Sequence, residues 1–536
     1  MKRILISVLC LSTALTAGAQ TMYDAISFSE NNYAGTARTI GLGNAVTALG
    51  SDLGTIGINP AGSAVAGYSQ FTFSPSIAYS STSADFYNDE DIATNSIGSR
   101  GRLALPNLAG TVVLETGRTY GLKSMTFGLV SNTTNNWLDE FEAKGGGGNQ
   151  TSMFGGFASY AQAAGYDPSV LASSAGYDSY QWQSVSAYQS GLISDFANGN
   201  FVGATEQIQK NEDGSYDIYT SGYLNRAYSR KVSGTKYDIV FNYAMNFSDR
   251  LYLGVNLGFP CGNYAFSENL NEVAQNPSDF SFEYEDGETV KFMQGTNSYA
   301  YSATLSGVYA KVGAIWLPIA GLRLGAAVQT PTALEVNERY QVSNYSLFSN
   351  SSNRATSPQG EYSYYIYTPW RYNLGAAYTI GRYGLVSVDY ERVNYRNMRY
   401  DVIDDDYSYT TDPFADVNDE IKTYAGDSDM LRFGIELMPL SKLAFRLGYA
   451  VTTKNTDFVD VNTKSFSFGV GYTSDSAFFC DFAVRGTKYP ISWYTPYSYY
   501  TTDDNYNIVV DSSLATPQLS MERSLFEFVA TFGWRF

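Results

Sequence analysis

The 536-residue chain has no histidine, three cysteines and only 16% charged residues, against about a quarter in ordinary soluble domains. The missing histidine removes Ser-His-Asp and Cys-His catalysis and the histidine-ligated zinc and iron sites in one step. Cys10, Cys261 and Cys480 are too few and too scattered for a zinc cluster or a disulfide framework, and their spacing gives no ground for pairing Cys261 with Cys480. No catalytic constellation stands out, so the chain is not expected to be an enzyme, and neither a metal nor a cofactor is expected. Basic residues are short as well: 34 against 52 acidic ones leave a net charge of -18. Without a basic stripe, nucleic acid is excluded as a partner. Beyond the N-terminus no run approaches the roughly 20 apolar residues of a membrane helix. The apolar fraction of 44% nevertheless rules out a disordered chain.

What is abundant is aromatic and small. Tyr (46) outnumbers Phe (31) and Trp (6) together, and 49 Gly stand against 15 Pro. The N-terminus has Lys2 and Arg3, an apolar run over 4–15, and Ala17-Gly18-Ala19 before Gln20. This is the pattern of a secretory signal peptide over 1–19, with Gln20 as the first mature residue. An exported chain without a membrane helix is either soluble outside the cell or a closed β-barrel in an outer membrane.

Alternation and connection lengths favour the barrel. In 237–247, Ile239, Phe241, Tyr243, Met245 and Phe247 share one face, and Asp238, Val240, Asn242, Ala244 and Asn246 the other. Residues 251–259 and 370–379 repeat the period of two, as half-buried strands do. Short turns at 248–250, 317–321, 380–382, 439–441 and 473–476 alternate with long polar stretches at 80–105, 132–236, 261–298, 331–362, 394–429 and 485–523. Outer-membrane barrels have this asymmetry, and the count from residue 71 onward gives about fourteen strands. The fold expected is an all-β transmembrane antiparallel barrel over 69–536 with a long extracellular insertion at 132–236. Tyrosine strings at 362–365 and 497–500 are expected in an interfacial girdle. The chain closes on Phe526, Phe528, Ala530, Phe532, Trp534 and Phe536 in alternation. Phe532, Trp534 and Phe536 thereby resemble the C-terminal strand by which barrels are recognised for outer-membrane assembly, which makes the assembly machinery an expected partner beside outer-membrane lipid.

Residues 20–68 are not strand-like. They are Gly/Ala-rich and carry Gly43-Asn44-Ala45, Asp52-Leu53-Gly54 and Asn59-Pro60-Ala61-Gly62, small residues that permit tight turning and close backbone approach. A wide barrel leaves a lumen, and this segment is a natural plug for it.

With these residues the chain resembles the FadL/TodX-type outer-membrane transporters of long-chain fatty acids and other hydrophobic compounds, whose hatch carries an Asn-Pro-Ala signature matched by Asn59, Pro60 and Ala61. The likeness extends through 368–371, 443–449 and the last strand. It implies a passive channel for hydrophobic small molecules or lipids: cargo is gathered at extracellular loops, enters a greasy lumen pocket and leaves sideways through the wall once the hatch rearranges. Asn59, Pro60, Ala61 and Gly62 would then set the plug's turn. Arg323, Arg371, Arg432 and Arg446 share the small-residue face of their strands and are candidate lumen contacts for a ligand carboxylate, or partners of lumen acids such as Glu436. Two other readings stand: a scaffold or shuttle barrel of a protein-secretion or surface-assembly machine, with a protein partner at the long loops, and an open nonspecific porin.

Overall fold

The computed structural model describes residues 20–87, 93–146, 151–283, 287–403, 412–453, 456, 462–475 and 477–536; the leader expected over 1–19 lies outside them. Fourteen antiparallel wall strands form one sheet that closes on itself. In chain order they are β1 (Gln70–Tyr87), β2 (Ala93–Glu115), β3 (Leu122–Gly146), β4 (Leu224–Phe247), β5 (Leu251–Ala274) and β6 (Thr289–Trp316). Next come β7 in two pieces (Leu322–Gln329 and Ala333–Phe348), β8 in two (Gly360–Tyr367 and Arg371–Ile380) and β9 in two (Gly384–Asn394 and Arg399–Val402). The circuit ends with β10 (Asp427–Leu440), β11 (Leu443–Thr452), β12 (Thr463–Thr473), β13 (Phe478–Lys488) and β14 (Gln518–Arg535). β14 pairs with β1 from Gln70↔Arg535 to Tyr87↔Gln518, so the sheet has no free edge to leave unpaired in lipid.

Side-chain parity shows where the lipid lies. The outward positions of β5 are Val255, Leu257 and Phe259, those of β6 are Val308, Val312 and Trp316, and those of β10 are Leu431, Phe433, Ile435 and Leu437, all exposed. Together they make an apolar belt around the barrel. Among the described residues no helix is long and apolar enough to cross a membrane; the crossing is made by strands. Short turns at one rim and long connections at the other are the outer-membrane arrangement. The protein is a multi-pass outer-membrane β-barrel.

Above the belt the alternation inverts. The outward face of β5 continues as Asn263, Ser267, Asn269 and Asn271, while its inward face changes from Gly254, Asn256 and Gly258 to Tyr264, Phe266 and Leu270. β6 does the same: its outward face becomes Thr304, Ser302 and Ser298, and its inward face Leu305, Tyr301 and Tyr299. A barrel strand needs about 9–11 residues to cross the membrane. β10 to β13 have 14, 10, 11 and 11 residues, whereas β4, β5 and β6 have 24, 24 and 28. The wall is thus low along β10–β13 and tall along β1–β7, where it continues into water with an apolar interior.

This inversion corrects two expectations. The polar stretches at 80–105, 261–298 and 331–362 are largely strands, and so are both ends of 132–236, since β3 and β4 pair up to Gly146↔Asn225. They look loop-like in sequence because their exposed face meets water instead of lipid. Tyr364, Tyr497, Tyr499 and Tyr500 lie in no girdle; they are buried inside the extramembrane part.

Phe536 is 79% exposed, yet its backbone N–H donates to Ser69 O at 2.8 Å, and Trp534 packs between Phe71 and Phe478. We expect Phe536→Ser to lower the amount of heat-modifiable barrel severalfold in outer-membrane fractions. The stability of barrel that does assemble should change by no more than about 0.5 kcal/mol, as for other exposed positions. Equal assembly of both proteins would remove the recognition role of this residue.

Candidate functional site: a plugged lumen with a seam in its wall

Inside the belt the lumen is filled by residues 30–68, a succession of tight turns around the short helix α2 (Ala37–Gly41); α1 (Met22–Ser29) precedes them. Gly43 and Gly50 stand at φ of 62° and 64°, where a Cβ would be strained. Asn59 caps the helical turn Pro60–Val65 by accepting from Ala61 N at 3.1 Å. Its Nδ2 donates to Thr47 O within the plug at 2.7 Å and to Ala314 O of the wall at 3.1 Å. Gly62 fits because a Cβ there would lie 2.5 Å from Thr55 Oγ1. The Asn-Pro-Ala-Gly motif is therefore a joint between plug turn and wall, fully buried.

The wall accommodates this joint with glycines. Gly254, Gly313, Gly325, Gly375, Gly434 and Gly448 face inward on β5, β6, β7, β8, β10 and β11. A Cβ on Gly313 would come within 2.1 Å of Asn59 Oδ1, on Gly254 within 2.4 Å of the Pro60 carbonyl carbon, and on Gly448 within 2.1 Å of Gly43 N. Plug backbone thus rests directly on wall backbone.

Between the glycines stand charges that satisfy the plug. Irregular buried backbone must find hydrogen-bond partners outside itself. Lys311 Nζ donates to Gly57 O at 2.8 Å, Lys236 Nζ to Phe28 O and Glu30 O at 2.7 and 2.6 Å, and Arg485 Nη1 to Tyr33 O at 2.9 Å. The four arginines singled out in sequence lie in this layer. Arg323 donates to Leu49 O at 2.7 Å, and Arg371 to Ser29 O. Arg371 and Arg432 meet on Glu391, at 3.1 and 2.5 Å. Arg446 bridges Glu436 and Asp481, and Glu436 also receives Arg38 of the plug. All four are engaged by acids or plug carbonyls. Lys236, Lys311, Arg38 and Glu391, equally central, escaped the sequence reading. For Lys236, Lys311 and Glu391 inward parity was the available signal; for Arg38 there was none.

One stretch of the wall has no backbone ladder. β2 and β3 pair only from Glu115↔Ser124 to Asn107↔Asn132, although β1 follows β2 to Ala93 and β4 follows β3 to Gly146. Above Asn132, β3 slips register between Thr133 and Asn135 and turns inward: Leu138 packs on Ala78 and Leu525, and its carbonyl accepts from Arg523 at 3.0 Å. Among the described residues this is the longest interruption of the wall ladder. The plug covers the free edge of β3, with Ala34 N donating to Thr133 O at 2.9 Å and Asn32 N to Thr134 O at 2.6 Å. β2 and β3 still meet here through side chains and close packing: Arg102 donates to Asn136, Arg100 pairs with Glu140 at 3.7 Å, and a Cβ on Gly98 would lie 2.0 Å from Glu140 O, while Arg100 and Arg102 also reach the Val232 and Gly234 carbonyls of β4.

Beside the seam, above the belt, lies an aromatic chamber, and α1 occupies it. Met22, Ala25, Ile26 and Phe28 are buried against Trp137, Tyr264, Tyr301, Leu305 and Tyr364, with Phe28 edge-on to Trp137 and Tyr264. The other face of α1 is open, and Tyr23 is 38% exposed.

The tall side of the mouth is capped by the segment between β3 and β4. Its helices α3 (Met153–Ala163) and α4 (Trp182–Gln189) bury apolar residues against Phe86, Phe141, Tyr228, Leu270, Phe292 and Leu519 of six wall strands. Glu272 holds the lid by accepting from Ser152 Oγ and Met153 N at the start of α3, while pairing with the fully buried Arg226 at 3.0 Å. Gly155 lets Glu206 and Tyr499 approach, since a Cβ would meet both at 2.0 Å. Glu206 accepts from Tyr499 and Gly203 N, and burial lifts its carboxyl to about 7. Among the described residues no group of three acidic or cysteine side chains is placed to hold a metal.

No family model matches the chain, and no curated protein does. Among solved structures it is similar to the toluene transporter TodX of P. putida, with 11% identity and a TM-score of 0.48, covering 94% of this chain and 98% of that one. A FadL homologue of Pseudomonas aeruginosa is similar at 11% identity and a TM-score of 0.48, covering 93% and 98%. The toluene transporter TbuX of Ralstonia pickettii follows at 12% identity and a TM-score of 0.44, covering 94% and 98%.

Two outcomes are expected from these contacts. Asn59→Ala leaves the buried Thr47 carbonyl and the Ala61 N–H without the partner they have in Asn59, each worth about 1–3 kcal/mol. Hydrogen exchange over 44–62 should accelerate more than tenfold while the wall strands keep their protection; unchanged exchange would mean that the joint does not hold the plug. For the lid, a carboxyl whose folded pKa is raised stabilises while protonated. That contribution is full below about 4.5 and is lost as pH rises through about 7, roughly 3 kcal/mol in all. Proteolysis of the lid should accelerate across this window, and Glu206→Gln should flatten the profile.

Proposed function

We propose that this protein is a passive outer-membrane channel for uptake of hydrophobic molecules, with the β2–β3 seam as its lateral exit and the plug as the gate. The seam carries the reading: the longest break in the ladder among the described residues begins at Asn107 and Asn132, at the upper edge of the apolar belt and beside an aromatic chamber, and its edge is held by plug residues 32–34. An apolar solute leaving the chamber for hydrocarbon keeps its surface out of water, a gain of about 25 cal/mol per Å² that passage through the polar plug layer would forfeit. A water-filled porin is disfavoured by the same layer, in which ion pairs and plug backbone fill the belt. Export by a leader over 1–19, removed before the plug docks, belongs to this reading.

The chamber also suggests how cargo is chosen. α1 already offers it Met22, Ile26 and Phe28, so cargo and helix compete for the same aromatic surface. Because Arg323, Arg371, Arg432 and Arg446 are engaged, selection rests on apolar contact more than on a carboxylate, and uncharged hydrocarbons suit the site as well as long-chain fatty acids do. The tall wall offers a polar outer face to a protein partner, which keeps the scaffold reading in view; a stoichiometric partner on a barrel without co-purifying apolar molecules would favour it.

The test is to lock the gate. Ala34 and Thr133 are bridge partners across plug and β3, so Ala34→Cys with Thr133→Cys, in a chain with Cys261 and Cys480 replaced by Ser, brings two thiols within disulfide reach. Oxidation should abolish uptake of a radiolabelled apolar solute and reductant should restore it. Full uptake by the oxidised barrel would exclude plug-gated exit at the seam.

A further inference from the structure

Gln20 and Thr21 sit between two carboxylates that lack a cation. The Gln20 side-chain amide donates to Glu338 Oε1, and Thr21 donates its N–H at 3.2 Å and its hydroxyl at 2.6 Å to Asp24 Oδ2. The other Glu338 oxygen accepts from Tyr301 and Tyr364 at 2.9 and 3.0 Å, and the residue is 1% exposed. Among the described residues no lysine or arginine ion-pairs with Asp24 or Glu338. The nearest cation felt by Asp24, Arg230, is engaged by Glu268 at 3.3 Å. A buried carboxylate held by neutral donors and without a counter-ion is costly. Burial moves Glu338 to about 7 and Asp24 to about 6, with Asp24 adding to the rise of Glu338 and Glu268 to that of Asp24.

We infer that this acidic pair is the docking site for the chain's own N-terminal ammonium, made when the leader is removed after Ala19. The inference rests on that reading of the leader. Hydrolysis of the Ala19–Gln20 amide adds one water, leaving a carboxylate on Ala19 and an ammonium on Gln20. The new charge appears on the residue already bound to Glu338 and adjoining the one bound to Asp24. Its location also explains why two acids are present. A cation at the start of α1 meets the positive end of the helix dipole, and the carboxylates must outweigh that repulsion. Removing the leader would thus seat α1 in the aromatic chamber, so that only the processed chain is fully plugged.

The same geometry predicts the chemical state of the terminus. Free N-terminal glutamine cyclises when its amine attacks its own side-chain carbonyl and expels ammonia, which replaces the cation with a neutral lactam. Here the side-chain amide is tied to Glu338 and the amine to the acids, so Gln20 should remain open.

The purified full-length barrel, in detergent, tests both points. Intact-mass and N-terminal peptide spectra should show a chain beginning at uncyclised Gln20. Reductive ¹³C-methylation followed by NMR titration should place the terminal amine at least one unit above its usual 7.7–8.0, falling back in Glu338→Gln, with heat-modifiable mobility confirming that the variant is folded. A pyroglutamate terminus, or an amine titrating alike in both proteins, would overturn the docking site while leaving the leader reading intact. A chain starting at another residue would overturn both.

Discussion

A polypeptide in hydrocarbon must satisfy every backbone N–H and C=O without water, and each level of this structure follows from that requirement. The wall meets it by closing β14 on β1. The plug, irregular and surrounded by strands, meets it with side chains: Lys236, Lys311, Arg323, Arg371 and Arg485 each donate to plug carbonyls, and Asn59 ties plug and wall together. Arg371 and Arg485 are themselves buried and need acids, which accounts for Glu391 and Glu527 in the same layer. What looks like an array of ligand-binding arginines is in the first place the solvation of a plug by its barrel.

The same accounting identifies the place where the structure gives way. At the β2–β3 seam the ladder is open, and its edge is satisfied by plug backbone at Asn32 and Ala34 instead of by a neighbouring strand. Under the proposed reading, movement of the plug would expose strand edge and open the wall together. A single set of hydrogen bonds serves both to anchor the plug and to cover the strand edge.

The extramembrane half is organised by the hydrophobic effect in its ordinary aqueous sense. Once β4, β5 and β6 leave the lipid, their polar face turns to water and their apolar face turns inward. The resulting interior has to be filled. The lid fills it from above, and α1 fills the chamber next to the seam with four apolar side chains. A cavity that the protein must occupy itself when cargo is absent is one that cargo can compete for.

The sequence by itself determined the class of the fold: period-two alternation, the aromatic last strand, short and long connections in turn, and a Gly/Ala segment ending in Asn59-Pro60-Ala61-Gly62 are local signals, each readable within a dozen residues. It also determined the inward parity of Arg323, Arg371, Arg432 and Arg446. Only the tertiary structure decided what those residues do, because a charge on an inward face has the same signature whether it meets ligand, acid or plug carbonyl. The strand extensions were hidden for a related reason. Alternation does not state which medium each face meets, so an exposed Ser-Asn-Thr face on β5 resembles a loop until its aromatic partner face is seen buried. The seam was beyond reach altogether: it arises beside a one-residue slip in β3 and from a plug segment about 100 residues distant in sequence that happens to close the edge left behind.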